Sequence, residues 1–224
     1  MDKVILAIGG VVIKTAWEEL KEVVRSEKVE ILVHNGASLF HDFQRATDKI
    51  LAAAGMHSYP LDDLLINREL DRPAANLVWS WIRGAQAPEA SVTRICEEMK
   101  IPTLCFTALG CDFWQLFDRG WDEFAQKTKR DLAFLANRMV GGQFHYLLLG
   151  SAVIHPEIFR SAMALAKPGV FRADVVDFKD MYRPRTRVAR YGSYYQTDFK
   201  TFLRKWLNED KVMPGLDFQD VSNH

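Results

Sequence analysis

His34, Asn35, His41, Asp42, Asp112, Ser151, His155 and Glu157 all stand just beyond short apolar runs. If those runs are parallel strands, their carboxyl ends share one edge of a sheet, and that edge is where open α/β sheets bind ligands. Taken singly, Asn, Ser and Asp at such places also serve as helix caps and turn formers. The set includes acceptable zinc or iron ligands. However, no H-x-x-x-H or H-E-x-x-H pair occurs, and adjacent His41 and Asp42 would point about 100° apart on a helix, so no metal centre is expected. Ser38 and Ser151 lack a G-x-S-x-G elbow. Cys111 beside Asp112 has no assigned base and reads as a small, partly buried thiol. Phosphate or dinucleotide binding fits better, because Ile8-Gly9-Gly10-Val11 and Asn35-Gly36-Ala37-Ser38 are both strand-to-helix turns. Neither is G-x-G-x-x-G, and Lys14 is not in a P-loop context.

The elements that must position these residues alternate between β-branched or aliphatic runs and longer amphipathic stretches. This is the pattern of βαβ units around a mostly parallel sheet, in a three-layer, Rossmann-like α/β domain. Val4 to Ile8 ends at Gly9-Gly10 and leads into a helix with Ala16, Trp17, Leu20, Val23 and Val24 on one face. Val29 to Val33 breaks at His34-Asn35-Gly36-Ala37 before a helix over about 38–54. Pro102 to Leu109 stops at Gly110, His145 to Leu149 stops at Gly150-Ser151, and a fifth run, Ala173 to Phe178, carries Asp174 and Asp177 near its ends. The segment 56–91 reads as helical insertions or a lid before a helix from Ser91 to Met99. Phe199, Phe202, Leu203, Trp206 and Leu207 have the spacing of a core-facing helix, and 214–224 reads as a frayed tail.

The 224 residues are expected to form one domain. Lys plus Arg and Asp plus Glu are 29 each, so no global field gathers nucleic acid or an anionic membrane. Tyr182 to Tyr195 interleaves Arg183, Arg185, Arg187 and Arg190 with aromatics. It could meet RNA or ligand phosphates, but is read by preference as an exposed strand or subunit contact. Three cysteines with no C-x-x-C pair point to a reducing, cytoplasmic setting. Val4 to Ile8 is too short for a signal-peptide core, and no run approaches a membrane span.

Five segments, in order, resemble the deoxyhypusine synthase family, in particular its bacterial synthase-like branch. They are Gly-Gly-Val-Val-Ile-Lys-Thr at Gly9 to Thr15, His-Asn-Gly-Ala-Ser-Leu-Phe-His-Asp-Phe at His34 to Phe43, and Ala-Leu-Gly-Cys-Asp at Ala108 to Asp112. Gly-Ser-Ala-Val-Ile-His-Pro-Glu-Ile-Phe at Gly150 to Phe159 and the Tyr-Arg-Pro segment within Phe178 to Val188 complete the set. The resemblance runs from Ile8 to about Tyr195.

It implies a Rossmann-like fold, a homotetramer and NAD near the strand ends at a subunit interface. Gly9, Gly10, Asn35, Gly36, Ala37, His41 and Asp42 would then meet the dinucleotide. Asp112 and His155 would lie nearer a cationic amine or polyamine such as spermidine, the carboxylate orienting an ammonium and the imidazole accepting a proton. The family reaction passes an aminobutyl group through an imine on an enzyme lysine. Ser193, in Arg190-Tyr191-Gly192-Ser193, stands where that lysine is expected, and serine cannot form the imine. The resemblance therefore implies NAD-dependent amine chemistry or group transfer without the usual lysine; the alternative is a non-catalytic assembly or ligand-sensing module on the same fold.

Overall fold

Unbroken apolar runs become strands here because both faces of the sheet are covered. Along β1 (Val4–Ile8) every residue is buried: Val4, Leu6 and Ile8 pack on one face, Ile5 and Ala7 on the other. The computed structural model describes residues 3–47, 68–106 and 120–209, with side chains described from 72 onward in the second stretch. Six strands form one sheet in the order β3-β2-β1-β4-β5-β6, and every pairing is parallel. The other strands are β2 (Val29–Asn35), β3 (Thr103–Phe106), β4 (Phe144–Leu149), β5 (Phe171–Asp177) and β6 (Tyr194–Gln196). This is the doubly wound, Rossmann-like order, whose direction of winding reverses between β1 and β4.

Helices cover both faces. On one side, α1 (Gly10–Arg25) and α8 (Phe199–Leu207) pack with α4 (Val92–Glu98), burying Leu20, Val23, Ile95, Phe202 and Trp206 against Leu6, Leu147 and Val176. On the other, α5 (Trp121–Met139), α6 (Ile154–Ala166) and α7 (Tyr182–Arg187) cover Ala7, Leu148 and Val175. A third cluster joins α2 (Gly36–Thr47) to α3 (Arg68–Ile82) through Leu39, Phe40, Phe43, Ala74, Ala75 and Val78. Within 56–91, the described part is thus helix packed on α2 and a short connection to α4; residues 48–67 lie outside the described residues. No helix among the described residues is long and apolar enough to cross a membrane.

Two boundaries differ from the sequence expectation. β2 continues through His34 and Asn35, because His34 still pairs with Ile8 on one side and Cys105 on the other, so the turn starts only at Gly36. The Tyr182 to Tyr195 segment divides into α7, a 3-10 turn (Ala189–Tyr191) and the edge strand β6. Tyr194 and Tyr195 are buried on opposite faces, and two of the arginines pair with acids, Arg185 with Asp180 and Arg187 with Glu157.

Candidate functional site

The winding reversal brings the ends of β1 and β4 together, and two backbone features make that junction tight. Gly9 N–H donates to the Leu149 carbonyl at 2.9 Å, extending the ladder by one residue. A Cβ on Gly9 would lie 2.7 Å from the Ser151 nitrogen, so only hydrogen fits between the β1 and β4 turns. Gly150 and Ser151 both adopt left-handed conformations, with φ of 65° and 69°. In a residue with a side chain that conformation is uncommon and marks an over-determined position. Ser151 Oγ accepts from the His155 N–H at 3.2 Å, in the first turn of α6, and from Asn35 Nδ2 at 3.3 Å, tying the end of β4 to that of β2.

Three helix amino termini, those of α1, α2 and α6, therefore meet at the carboxyl ends of β1, β2 and β4. Each carries the positive end of a helix dipole and amides with no intrahelical partner. The contact between the first two is close: a Cβ on Gly10 would lie 3.3 Å from Ala37 Cβ and 3.1 Å from His41 Cδ2. Val12 N–H turns back to the Gly9 carbonyl at 3.1 Å, which leaves the Gly10 and Val11 amides for the half-open rim. Such an arrangement suits a phosphate.

Behind this rim lies a connected buried network. Asn35 Oδ1 accepts from Ser38 N–H at 2.8 Å, capping α2. The Ser38 hydroxyl lies 3.0 Å from both the Asn35 carbonyl and His34 Nδ1. Thr93 Oγ1 donates to Asp42 Oδ2 at 2.8 Å and lies 3.4 Å from His34 Nε2. Asp42 also accepts from Trp17 Nε1–H at 2.8 Å and from the Val92 and Thr93 amides, each at 2.9 Å. Burial pushes its carboxyl above the usual range, opposed by those four donors. Asp42 thus joins α1, α2 and the start of α4 from inside the fold, and every contact it makes in the structure is internal.

His34, His41 and His155 are held neutral. Burial lowers His34 to about 3, His155 to about 4 and His41 to about 3, the last also through Lys14. His155 Nε2 lies 2.8 Å from the Ile8 carbonyl, which can only accept, so the proton is on Nε2. Nδ1 is then a bare, buried acceptor with no hydrogen-bond partner among the described residues. His41 Nδ1 lies 3.2 Å from Gln44 Oε1. Gly9, Gly10, Asn35, Gly36, Ala37, His41, Ser151 and His155 are thus brought together at the reversal point, while Asp42 lies behind it. Asp112 and Cys111 lie outside the described residues.

Ser193 lies elsewhere. Its N–H donates to Asp174 Oδ1 at 2.6 Å and its carbonyl accepts from Val175 N–H at 2.9 Å, which places it beside the middle of β5. The rim is reached at Asp177, two residues farther along β5 than Val175. Gly192 is equally confined, because a Cβ there would lie 2.4 Å from the Ala173 carbonyl oxygen. Asp177 was legible as the end of an apolar run but was not among the sequence candidates. It is 3% exposed, and burial pushes its carboxyl up to about 6.

No family model matches the sequence, and no curated protein matches it. Solved structures do. A conserved protein from Methanococcus maripaludis S2, provisionally described as LOR/SDH, superposes with a TM-score of 0.65 at 13% identity, over 92% of this chain and 60% of that one. AgrE in ternary complex with ornithine and NAD+ gives 0.61 at 17% identity, and ArgZ, a cyanobacterial arginine dihydrolase of the ornithine-ammonia cycle, gives 0.58 at 16%. The likeness is one of fold. This chain covers 29% of the length of AgrE and of ArgZ. A provisionally assigned deoxyhypusine synthase from Entamoeba histolytica reaches a TM-score of 0.41 at 10% identity, which carries no argument.

Proposed function

We propose that this chain is a dinucleotide-binding domain, holding NAD across the carboxyl ends of β1 and β2 and acting on a small amine or amino acid on the β4 and β5 side. The observation that carries the reading is the reversal point itself, where Gly9 and Gly10 open α1 in direct contact with the amino terminus of α2. The pyrophosphate would lie on the Gly10 and Val11 amides. Asn35 stands at the end of β2, where such folds commonly carry a ribose-binding carboxylate; its amide is spent on Ser38 and Ser151, so it acts by shaping the turn. A fold neighbour whose complex holds ornithine and NAD+ supports both halves of the reading.

NAD would supply a hydride acceptor, and this chain supplies the half-open rim and a buried acid, Asp177, beside it. Assembly as a homotetramer and a polyamine substrate belong to the same proposal, with Asp112 as a further amine-binding acid. Deoxyhypusine formation itself is not part of it. Ser193 stands where the resemblance expects the imine-forming lysine, and it lies beside the middle of β5. Titration calorimetry with NAD, followed by NADH absorbance in the presence of ornithine or spermidine, tests the reading: no binding of NAD sinks it. Binding without NADH formation by any amine favours the ligand-sensing alternative, which the inward commitment of His34 and His155 supports.

A further inference from the structure

The four buried aspartates among the described residues are satisfied very unequally. Asp42 has its four donors. Asp131 accepts from Lys127 Nζ and from the Cys105 amide, and Asp174 takes His145, Arg172 and the Ser193 amide. Among the described residues, Asp177 receives only backbone N–H groups of the two residues that follow it, that of Lys179 at 3.5 Å and that of Phe178. No cation among the described residues pairs with it, although it is 3% exposed. A buried carboxylate so poorly paired is costly unless something arrives to pair it.

Its place is equally specific. Gly150 N–H donates to the Val176 carbonyl at 3.0 Å, setting Asp177 beside the left-handed Gly150 and Ser151. By strand alternation its side chain leaves β5 on the face of Ala173 and Val175, the face that Tyr194 also packs on. Asp177 is two strands from Gly9, or about 10 Å at ordinary strand spacing. That distance fits a substrate lying beyond the phosphates of a dinucleotide seated on Gly10.

We propose that Asp177 is the ammonium-binding residue of this site, pairing the cationic nitrogen of a primary amine or amino acid that enters over Gly150 and Ser151. The inference rests on the dinucleotide reading above and names the residue that selects the substrate class. Ammonium is the fitting class because a single carboxylate flanked by backbone amides offers one negative charge and acceptors alone, which a group with three N–H donors satisfies.

Asp177→Asn separates charge from shape, since the amide oxygen still accepts from the Lys179 N–H. The probes are putrescine and its uncharged isostere 1,4-butanediol, titrated into protein saturated with NAD. The wild type is expected to prefer putrescine by about ten-fold or more, a preference Asp177→Asn abolishes while its NAD affinity stays within about two-fold. A wild type that binds NAD but shows no preference for the diamine, or a variant that keeps the preference, overturns the assignment. Failure of the wild type to bind NAD overturns the dinucleotide reading and this inference with it. Amide proton–nitrogen correlation spectra of the wild type saturated with NAD give the answer without any variant. Putrescine, and not butanediol, shifts the Phe178 and Lys179 amides beside the carboxylate; equal shifts under both, or none, overturn the assignment.

Discussion

Removing the Asp42 carboxylate tests the architecture behind the rim. Asp42→Ala leaves four donors without an acceptor: Trp17 Nε1–H, the Val92 and Thr93 amides and the Thr93 hydroxyl. A hydrogen bond to a charged group contributes about 1.5–3 kcal/mol net, and an orphaned buried donor costs about 1–3 kcal/mol. Part of that loss is offset because burying the carboxylate is itself unfavourable, as the upward displacement of its pKa records. The balance is a destabilisation of at least about 3 kcal/mol, enough to move a urea midpoint by about 1 M or more in a chain of this size. Urea unfolding followed by tryptophan fluorescence reads it, with Trp17 reporting directly on the lost partner. The milder Asp42→Asn, once folded, is expected to bind NAD within about two-fold of the wild type. A stability change below about 1 kcal/mol together with lost NAD affinity would refute the reasoning and make Asp42 a ligand contact.

Gly9→Ala is expected to destabilise by about 2 kcal/mol or more, because the new Cβ meets the Ser151 backbone nitrogen, which no rotamer change can move; thermal unfolding checks it. His155 is neutral in the fold down to about pH 4, while the unfolded chain takes up its proton below about pH 6.5. Its folded pKa is therefore depressed below the unfolded value, and stability is lost as pH falls through that window. Compared with His155→Gln, the wild type should lose about 1.4 kcal/mol per pH unit there, read from urea unfolding at several pH values; parallel curves would contradict the burial argument.

Elements whose residues answer to local rules were legible in the sequence. β1 reads as a strand because all five residues are apolar and both faces are covered. α8 shows its buried face in Phe199, Phe202, Leu203 and Trp206, with Asp198 capping it through the Thr201 amide at 2.8 Å. Ser91 caps α4 through the Arg94 amide. What the sequence hid is non-local. β6 is three residues long, too short for a periodicity, and its tyrosines serve opposite faces of the sheet. Asp42 finds its donors 25 to 51 residues away, and the His155 tie to Ile8 spans 147. In the sequence both read as rim groups, and their internal partners appear only in the fold. Asp177 shows the converse: nothing in its neighbours' identities announces that burial would leave it without a cation among the described residues.

The most direct test of the dinucleotide account is an amide proton–nitrogen correlation spectrum of the isotopically labelled chain titrated with NAD. Shifts concentrated at Gly10, Val11, Gly36, Ala37 and Ser151, where three helix amino termini meet around the winding reversal, are the result the account predicts. An unchanged spectrum at saturating NAD, or shifts confined to the amino ends of the strands, would contradict it.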